Sequence, residues 1–287
     1  MAKLQLHMVQ HPGLEPNVKH TKGVVQQPIQ CPVNTAQQHR RKFMESIGDY
    51  VSSNNGVLCS ETSFRFWGEY EMESLCCLNP TGPYSHNNPR AMHFPIYPKS
   101  KTKGINTDPL VFGDHFYYHL CKFPKRTLNN GDIVLFGTYY GKEFHMDTFF
   151  IVKGQIPLAD LRKNNQLFAR CNPQQPMQAV CGSTGNCGGP QSGAFAYESL
   201  SYYDCKEFYS FVPCKPTKGF FGRPVINNYQ YLRALPTTKA VFDDVVNQVR
   251  KQGFDLGVRL DMPCPSAAIS KIAYPIIINT NNNYETK

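Results

Sequence analysis

The stretch GDIVLFGTYYGKEFHMDTFFIV, residues 131–152, decides the fold prediction, because it has the pattern of two strands joined by a tight turn. Residues 132–137 are almost all apolar, as in a strand that is buried on both faces. The sequence Tyr-Tyr-Gly-Lys then offers a turn, and residues 144–152 return in extended form. We therefore predict that residues 132–137 and 144–152 pair antiparallel in the core.

Strict alternation along the returning strand predicts which of its side chains share a face. One face would carry Phe144, Met146, Thr148 and Phe150, and the other His145, Asp147, Phe149 and Ile151. This spacing makes His145 and Asp147 near neighbours on one side of the sheet.

The order Gly-Asp, buried strand, turn and strand in residues 131–152 is similar to segments of small nucleic-acid-binding β-barrels of the PUA and EVE kind. The similarity spans about a tenth of the chain. It implies a barrel-like sheet and a nucleic-acid or modified-base ligand.

The composition is that of a folded chain with anionic partners. Of its 287 residues, 41% are hydrophobic, 13% aromatic and 18% charged, which supplies ample material for a core and favours β structure. The formal net charge of +9 would attract phosphates or nucleic acid. A solvated face with an incidental excess of lysine is the alternative explanation.

Cysteine usage and the lack of long apolar runs predict a soluble, intracellular and cytoplasmic protein without membrane partners. No stretch of 18 apolar residues occurs, and the N-terminus has no apolar signal core. We expect the 11 cysteines to be reduced thiols. Five of them lack the short spacing of zinc ligands, so we predict no metal there: Cys171, Cys181, Cys187, Cys205 and Cys214. The sequence identifies no cofactor.

The fold predicted for the whole chain is a single α+β domain, residues 1–287. A β-rich central mixed or antiparallel sheet, in one form a partly closed barrel, is flanked by helices. Its strand-rich core covers about residues 57–154, and residues 155–287 pack on it. The elements predicted outside the hairpin are a first strand at 3–10, helices at 36–53, 158–165 and 237–254, a long loop at 78–104 and a strand at 271–279.

The segment FRFWGEYEME, residues 64–73, contains the only tryptophan and supplies the first candidate site. Alternation predicts that Phe64, Phe66, Gly68 and Tyr70 face one way, and Arg65, Trp67, Glu69 and Glu71 the other. Trp67 could stack on a base, Arg65 could hold a phosphate, and the two glutamates could act as acid and base. Alternatively this face is exposed, its charges pair with basic residues across the sheet, and Trp67 covers an adjacent loop.

A second polar group comes from residues 106–121, with a contribution from the returning strand. Its members are Asn106, Asp108, Asp114, His115, His119 and Cys121, joined by His145 and Asp147. A cysteine with a nearby histidine and acid could form a nucleophile, base and orienting group. The alternatives are a turn role for Asp108, a core position for His119, and a nuclease-like metal site of His145, Asp147 and Glu69.

The function predicted from these residues is that of an enzyme acting on a nucleotide or nucleic-acid base, a hydrolase of N-glycosidic or nucleotide-processing type. Its catalytic residues would be Glu69, Glu71, His145 and Asp147. Its ligand-binding residues would be Arg65, Trp67, Asn106, Asp108, Asp114, His115 and Cys121. The alternatives are a non-catalytic nucleic-acid or modified-base reader with a PUA-like barrel, and an interaction protein without catalysis.

Overall fold

The computed structural model describes residues 5–10, 15, 29–31, 41–70, 74–79, 88–95, 109–118, 128–157 and 195–262. Within these residues the chain is sheet-rich, with 13 strands in two sheets and only two helices. The helices are α1 (Tyr229–Ala234) and α2 (Thr238–Lys251). In the described part of the chain the strands form two mixed sheets and no closed barrel, so only the sheet-rich part of the α+β prediction is supported.

The first sheet is built on the predicted hairpin. Its strands are β1 (Leu6–Gln10), β7 (Tyr117–Tyr118), β8 (Ile133–Tyr140), β9 (Glu143–Pro157), β10 (Phe195–Ser199) and β12 (Val225–Ile226). Their order is β1-β8-β9-β10-β7, and β12 pairs with β9. Strands β8 and β9 pair antiparallel, which confirms the prediction, while β1 pairs with β8 in parallel.

A β-bulge in this hairpin makes the predicted face assignment wrong. The register shifts between Phe136, opposite Thr148, and Gly137, opposite Met146, so Asp147 is the extra residue on β9. The shift exchanges the faces beyond it, and Phe144 and Met146 therefore share a core with Phe149 and Ile151. A bulge of this kind leaves no trace in the hydrophobic pattern of the sequence.

The second sheet contains the other strands, and its centre corrects a predicted helix. Its order is β13-β11-β4-β3-β6-β5-β2, with an added β13–β3 pairing. These strands are β2 (Ile29–Cys31), β3 (Arg41–Val51), β4 (Leu58–Glu69), β5 (Ser74–Leu78), β6 (Ala91–Pro95), β11 (Val212–Lys215) and β13 (Asp255–Leu260). The helix predicted at 36–53 is wrong, because residues 41–51 are β3, which pairs with three other strands. Long-range pairing overrides local helix preference there.

Other predicted elements are confirmed, corrected or outside the described residues. Helix α2 is confirmed, with the Thr237 side chain accepting from the Ala240 N–H at its N-terminus and Val241, Val245 and Val249 buried. The long loop predicted at 78–104 is corrected, since residues 91–95 are β6. The predicted elements at 158–165 and 271–279 lie outside the described residues, and the single-domain assignment stays a prediction.

Two hydrophobic cores organise the layers. Between the sheets, Phe136 and Phe150 of the first sheet share a core with Met44, Phe64 and Phe66 of the second. On the outer side of the first sheet, residues such as Leu135 and Phe149 pack with Val241, Val245 and Val249 of α2. Neither described helix is long and apolar enough to cross a membrane.

An ion-pair network ties β13 to β3 and predicts sensitivity to acid. Burial alone would raise the pKa of Asp49, but hydrogen bonds from Arg259, the Tyr203 hydroxyl and the Glu61 N–H lower it to about 2. A carboxyl whose pKa is lower in the folded state stabilises the protein above its unfolded pKa of about 3.9. We expect Asp49 to contribute about 2 kcal/mol at neutral pH, and this contribution to fall away between about pH 4 and pH 2.

Urea denaturation at several pH values tests this expectation. Asp49→Asn should lower the free energy of unfolding at pH 7 and flatten its decline below about pH 4. Asp243→Asn is the matched control, because Asp243 pairs with Lys239 on the exposed surface of α2. Equal acid dependence in Asp49→Asn and the unmodified protein would contradict the assignment.

Candidate functional site

Three cross-strand pairs line one face of the β3–β4 ladder. Arg41 lies opposite Glu69, Phe43 opposite Trp67, and Glu45 opposite Arg65. The predicted alternation of β4 is confirmed, since Phe64 and Phe66 point into the core between the sheets while Trp67 belongs to a separate cluster with Phe43. An aromatic pair is thus flanked on both sides by pairs of opposite charge, an arrangement close to the cross-paired alternative predicted from the sequence.

Trp67 is a buried residue in this structure. Its side chain is 4% exposed, its Nε1 donates to the Phe221 carbonyl at 2.9 Å, and its ring centroid lies 5.6 Å from that of Phe43. The Arg223 guanidinium covers the ring at 5.0 Å from its centroid. The face that carries Arg65, Trp67 and Glu69 is therefore buried, and the predicted alternative in which this face is exposed is wrong.

Four buried charges meet beside Trp67. We call Arg41, Glu69, Asp147 and Arg223 the charge cluster. Arg41 Nη1 lies 3.1 Å from Glu69 Oε2, and its Nε lies 2.9 Å from Asp147 Oδ2. Arg223 Nη1 lies 3.3 Å from Asp147 Oδ1. The cluster joins the second sheet, through Arg41 and Glu69, to the first sheet, through Asp147.

The bulge in β9 delivers Asp147 to this cluster. Asp147 has no opposite residue in the β8–β9 ladder. The regular alternation of side chains between the two faces is interrupted there, and the Asp147 side chain lies against Arg41. Gly137 faces the bulge across the ladder. A Cβ there would collide with the His145 carbonyl and lie 2.7 Å from Phe144 Cζ, so only glycine permits this close approach.

His145 borders the cluster as a buried, uncharged group. Burial lowers its pKa below the ordinary value, and the charge of Arg223 lowers it further, while Glu143 and Asp147 act in the opposite direction. Its Nε2 lies 3.5 Å from Glu143 Oε2. The lowered pKa keeps this imidazole uncharged at neutral pH, so one ring nitrogen can donate a hydrogen bond and the other can accept one.

A loop between β11 and β12, residues 216–224, closes the site from outside. We call it the cover loop. Its Phe221 ring packs edge-on against Phe43 at 4.8 Å, and its Arg223 reaches into the charge cluster. Arg65 holds the same loop by donating to the carbonyls of Lys218 and Gly219, and it pairs with Glu45 at 2.9 Å. The predicted phosphate ligand Arg65 thus binds protein carbonyls here.

The hydrogen bonds of Arg41 are poorly formed for a residue that is 0% exposed. Its Nε and Nη1 lie within ion-pair distance of carboxylates, yet these two atoms and Nη2 make no hydrogen bond of good geometry within the described part of the chain. Buried polar atoms are normally satisfied by hydrogen bonds, and the ion pairs to Glu69 and Asp147 do this for Arg41 only in part. Its five N–H donors match the oxygens of a phosphate or carboxylate.

No metal centre is formed by the residues that the structure describes, in which no group of three or more His, Cys, Asp or Glu side chains is placed to hold an ion. In the predicted nuclease-like set, Glu69 and Asp147 do come together, but the Arg41 guanidinium stands between their carboxylates. A positive side chain thus takes the position that a cation would occupy. Of the five cysteines considered for zinc, Cys171, Cys181 and Cys187 lie outside the described residues.

The second predicted group is placed elsewhere on the protein or is not described. Asp114 is exposed, and His115 Nε2 lies 2.9 Å from Asp204 and 3.3 Å from Lys153 Nζ. Hydrogen bonds from Ser201 and Lys153 hold the pKa of Asp204 at about 2, although burial opposes this. No contact in the described residues joins this surface group to the charge cluster. Five residues of the two predicted groups lie outside the described residues: Glu71, Asn106, Asp108, His119 and Cys121.

Sequence patterns did not single out the two arginines of the cluster. Arg41 falls in the basic group HRRK, residues 39–42, within the helix predicted at 36–53. Arg223 follows two phenylalanines in GFFGRP, residues 219–224, a stretch without periodicity. A strand prediction for residues 41–51 would have placed Arg41, Phe43 and Glu45 on one face. That face has charges and an aromatic ring complementary to Glu69, Trp67 and Arg65 on β4.

Comparison with known proteins finds no matching family model, no matching curated protein and no matching solved structure.

Proposed function

We propose that the protein binds a nucleotide or nucleic-acid base at the charge cluster beside Trp67 and acts on it as a hydrolase. The observation that supports this proposal is the burial of four charged side chains, two of each sign, at one point between the sheets. Replacing buried ion pairs by apolar residues of similar volume is often neutral or stabilising. Stability alone therefore gives little reason for this cluster, whereas ligand binding does.

The residues of the cluster match the parts of a nucleotide. Arg41 carries donors suited to phosphate oxygens, and Glu69 can accept from an exocyclic amine of a base. The Trp67 ring already has a planar cation, Arg223, lying over it. A base stacked on Trp67 would take the place of that guanidinium, so binding requires the cover loop to move outward and carry Arg223 with it.

Hydrolysis would use the two carboxylates that Arg41 joins. Glu69 and Asp147 reach the cluster from different sheets, and His145 lies beside them as a neutral base. A pair of acidic groups on either side of a scissile bond is the usual arrangement for glycosidic cleavage. Displacement of an arginine by the ligand would free a carboxylate for this role.

The second candidate function is binding without catalysis. It is favoured by the pairing of both carboxylates with arginine, because these ion pairs occupy the oxygens that would have to act as acid or base. In such a reader, Glu69 and Trp67 would recognise the base and the excess positive charge would hold phosphates.

Intrinsic fluorescence provides the test, since Trp67 is the only tryptophan in the chain. We expect the four nucleoside 5′-monophosphates and their free bases to include at least one ligand that changes the emission of Trp67 in a saturable titration. Arg41→Lys, which keeps the charge but loses the fork of donors, should weaken binding by about 10-fold or more. Glu45→Gln is the matched control on the same sheet face and should bind normally.

Catalysis and recognition are separated by Glu69→Gln. In an enzyme this change abolishes product formation, followed by chromatography, while the fluorescence titration still saturates. In a reader it weakens binding itself. The proposal of a nucleotide site is overturned if no ligand in the panel alters Trp67 emission at millimolar concentration, or if Glu45→Gln weakens binding as much as Arg41→Lys.

A further inference from the structure

The tip of the β8–β9 hairpin presents aromatic rings to solvent. Residues 139–143 are all exposed, with Tyr139 at 41% and Tyr140 at 54%, and Gly141 makes the turn with a φ of +60°. Most other aromatic side chains of the described residues are buried. Two adjacent exposed tyrosines at a protruding turn are typical of a surface that stacks on a partner.

The two tyrosines point to opposite sides of the hairpin. Tyr139 packs on Phe144, with ring centroids 5.2 Å apart, and its hydroxyl donates to Met8 Sδ at 3.4 Å. Tyr140 lies against His145, with centroids 6.4 Å apart. Tyr140 is thus the exposed aromatic ring of the tip that contacts His145, and His145 borders the charge cluster.

One lysine lies in the turn of the tip, and one arginine lies near its Tyr139 side. Lys142 is exposed in the turn itself. On the Tyr139 side, the Tyr229 hydroxyl donates to the Leu6 carbonyl on β1, two residues from Met8, and Arg233 lies over the Tyr229 ring at 5.6 Å. The acidic residue of the tip, Glu143, lies 3.5 Å from His145 Nε2. Aromatic rings can stack on bases, and neighbouring cations can contact phosphates, so this combination fits a nucleic-acid ligand.

We propose that this hairpin tip binds single-stranded nucleic acid, with Tyr140 stacking on a base and Lys142 contacting the backbone phosphates. The inference rests on the proposed function. One nucleotide of the strand would bind at the charge cluster, and the neighbouring nucleotides would bind at the tip. Bases in a duplex are already stacked and paired, so stacking on tyrosine requires a single strand.

Fluorescence anisotropy with labelled 12-nucleotide single strands of DNA and RNA tests the inference. We expect binding that is at least 10-fold tighter than to a duplex of the same sequence. Tyr140→Leu, which keeps an apolar side chain of comparable reach, should weaken strand binding about 10-fold, and Tyr140→Phe should restore it. Lys142→Ala should reduce the slope of log affinity against log salt by about 0.7, the value for one phosphate contact in a single strand.

The control for the tyrosines is Tyr231→Ala. Tyr231 is 57% exposed, and it lies about 200° around α1 from Tyr229, away from the tip. The Tyr231→Ala variant should bind single-stranded nucleic acid with the same affinity as the unmodified protein. Equal affinity for single strand and duplex, or equal losses in Tyr140→Leu and Tyr231→Ala, would overturn the inference.

Parallel titrations with mononucleotides separate this inference from the proposed function. If strands bind in a Tyr140-dependent way while Arg41→Lys leaves mononucleotide binding unchanged, the tip inference stands and the cluster is not the nucleotide site. If mononucleotides bind in an Arg41-dependent way but strands bind no better than mononucleotides, the proposed function stands and the tip inference fails.

Discussion

Gly137→Ala is expected to destabilise the protein by about 3 kcal/mol or more, because the new methyl group would overlap with neighbouring atoms. Its Cβ would collide with the backbone carbonyl of His145 and lie 2.7 Å from Phe144 Cζ. The neighbours on the other strand are backbone and a buried aromatic ring, so relief requires the two strands to separate. Separation would dissolve the bulge that directs Asp147 towards Arg41.

Urea denaturation of Gly137→Ala and Gly154→Ala measures this effect against a matched change in the same hairpin. Gly154 lies on β9, and a Cβ built there meets nothing within 4 Å. We expect Gly154→Ala to change the free energy of unfolding by less than about 1 kcal/mol. Similar stability of the two variants would show that the hairpin adapts easily and that the bulge is not held by glycine.

Asp147→Ala should cost about 3 to 5 kcal/mol, since it leaves Arg41 and Arg223 buried without the carboxylate they share. Glu45→Ala removes the partner of Arg65 from the same sheet face, but Glu45 is 31% exposed, so its loss should cost at most about 1 kcal/mol. Thermal and urea unfolding of the two variants give the comparison. Equal losses of unfolding free energy would mean that the buried ion pairs of Asp147 stabilise the protein no more than an exposed ion pair does.

A variant without any charge in the cluster distinguishes a functional cluster from a structural one. It combines Arg41→Met, Glu69→Leu, Asp147→Leu and Arg223→Met. We expect it to be more stable than Asp147→Ala and close to the unmodified protein, because apolar side chains of similar size fill buried ion-pair sites well. It should give no nucleotide-dependent change in Trp67 emission. A charge-free variant that unfolds as readily as Asp147→Ala would assign the cluster a structural role.

Local patterns predicted the elements that depend on neighbours in sequence. The hairpin around Gly141 and the helix α2 follow from alternation, turn residues and a helical stripe, and both are present. Residues 41–51 show the limit of this approach. Their apolar spacing fits a helix, but they form a strand because β4, β6 and β13 surround them, and those partners come from distant parts of the sequence.

The candidate site could be predicted only in part for the same reason. Alternation correctly placed Arg65, Trp67 and Glu69 on one face of β4, and it indicated Asp147 as a polar residue of β9. It could not show that these strands approach each other, that a bulge turns Asp147, or that residues 216–224 cover Trp67. Solvent exposure of a strand face depends on what packs over it, and that information lies outside the strand.

The pairing of β13 with β3 also bears on how the chain reaches its native state during synthesis. Leu256 lies opposite Val51, so the two strands are about 200 residues apart along the chain. The part of β3 from Gly48 to Val51 consequently lacks its β13 partner until residues 256–260 have been synthesised, whereas Phe43 and Met44 pair with β6 on the same edge. Pairings of such long range form slowly, because a large loop must close before any contact rewards it. Until then the second sheet lacks this pairing, and an unpaired strand edge of this kind is prone to associate with other chains.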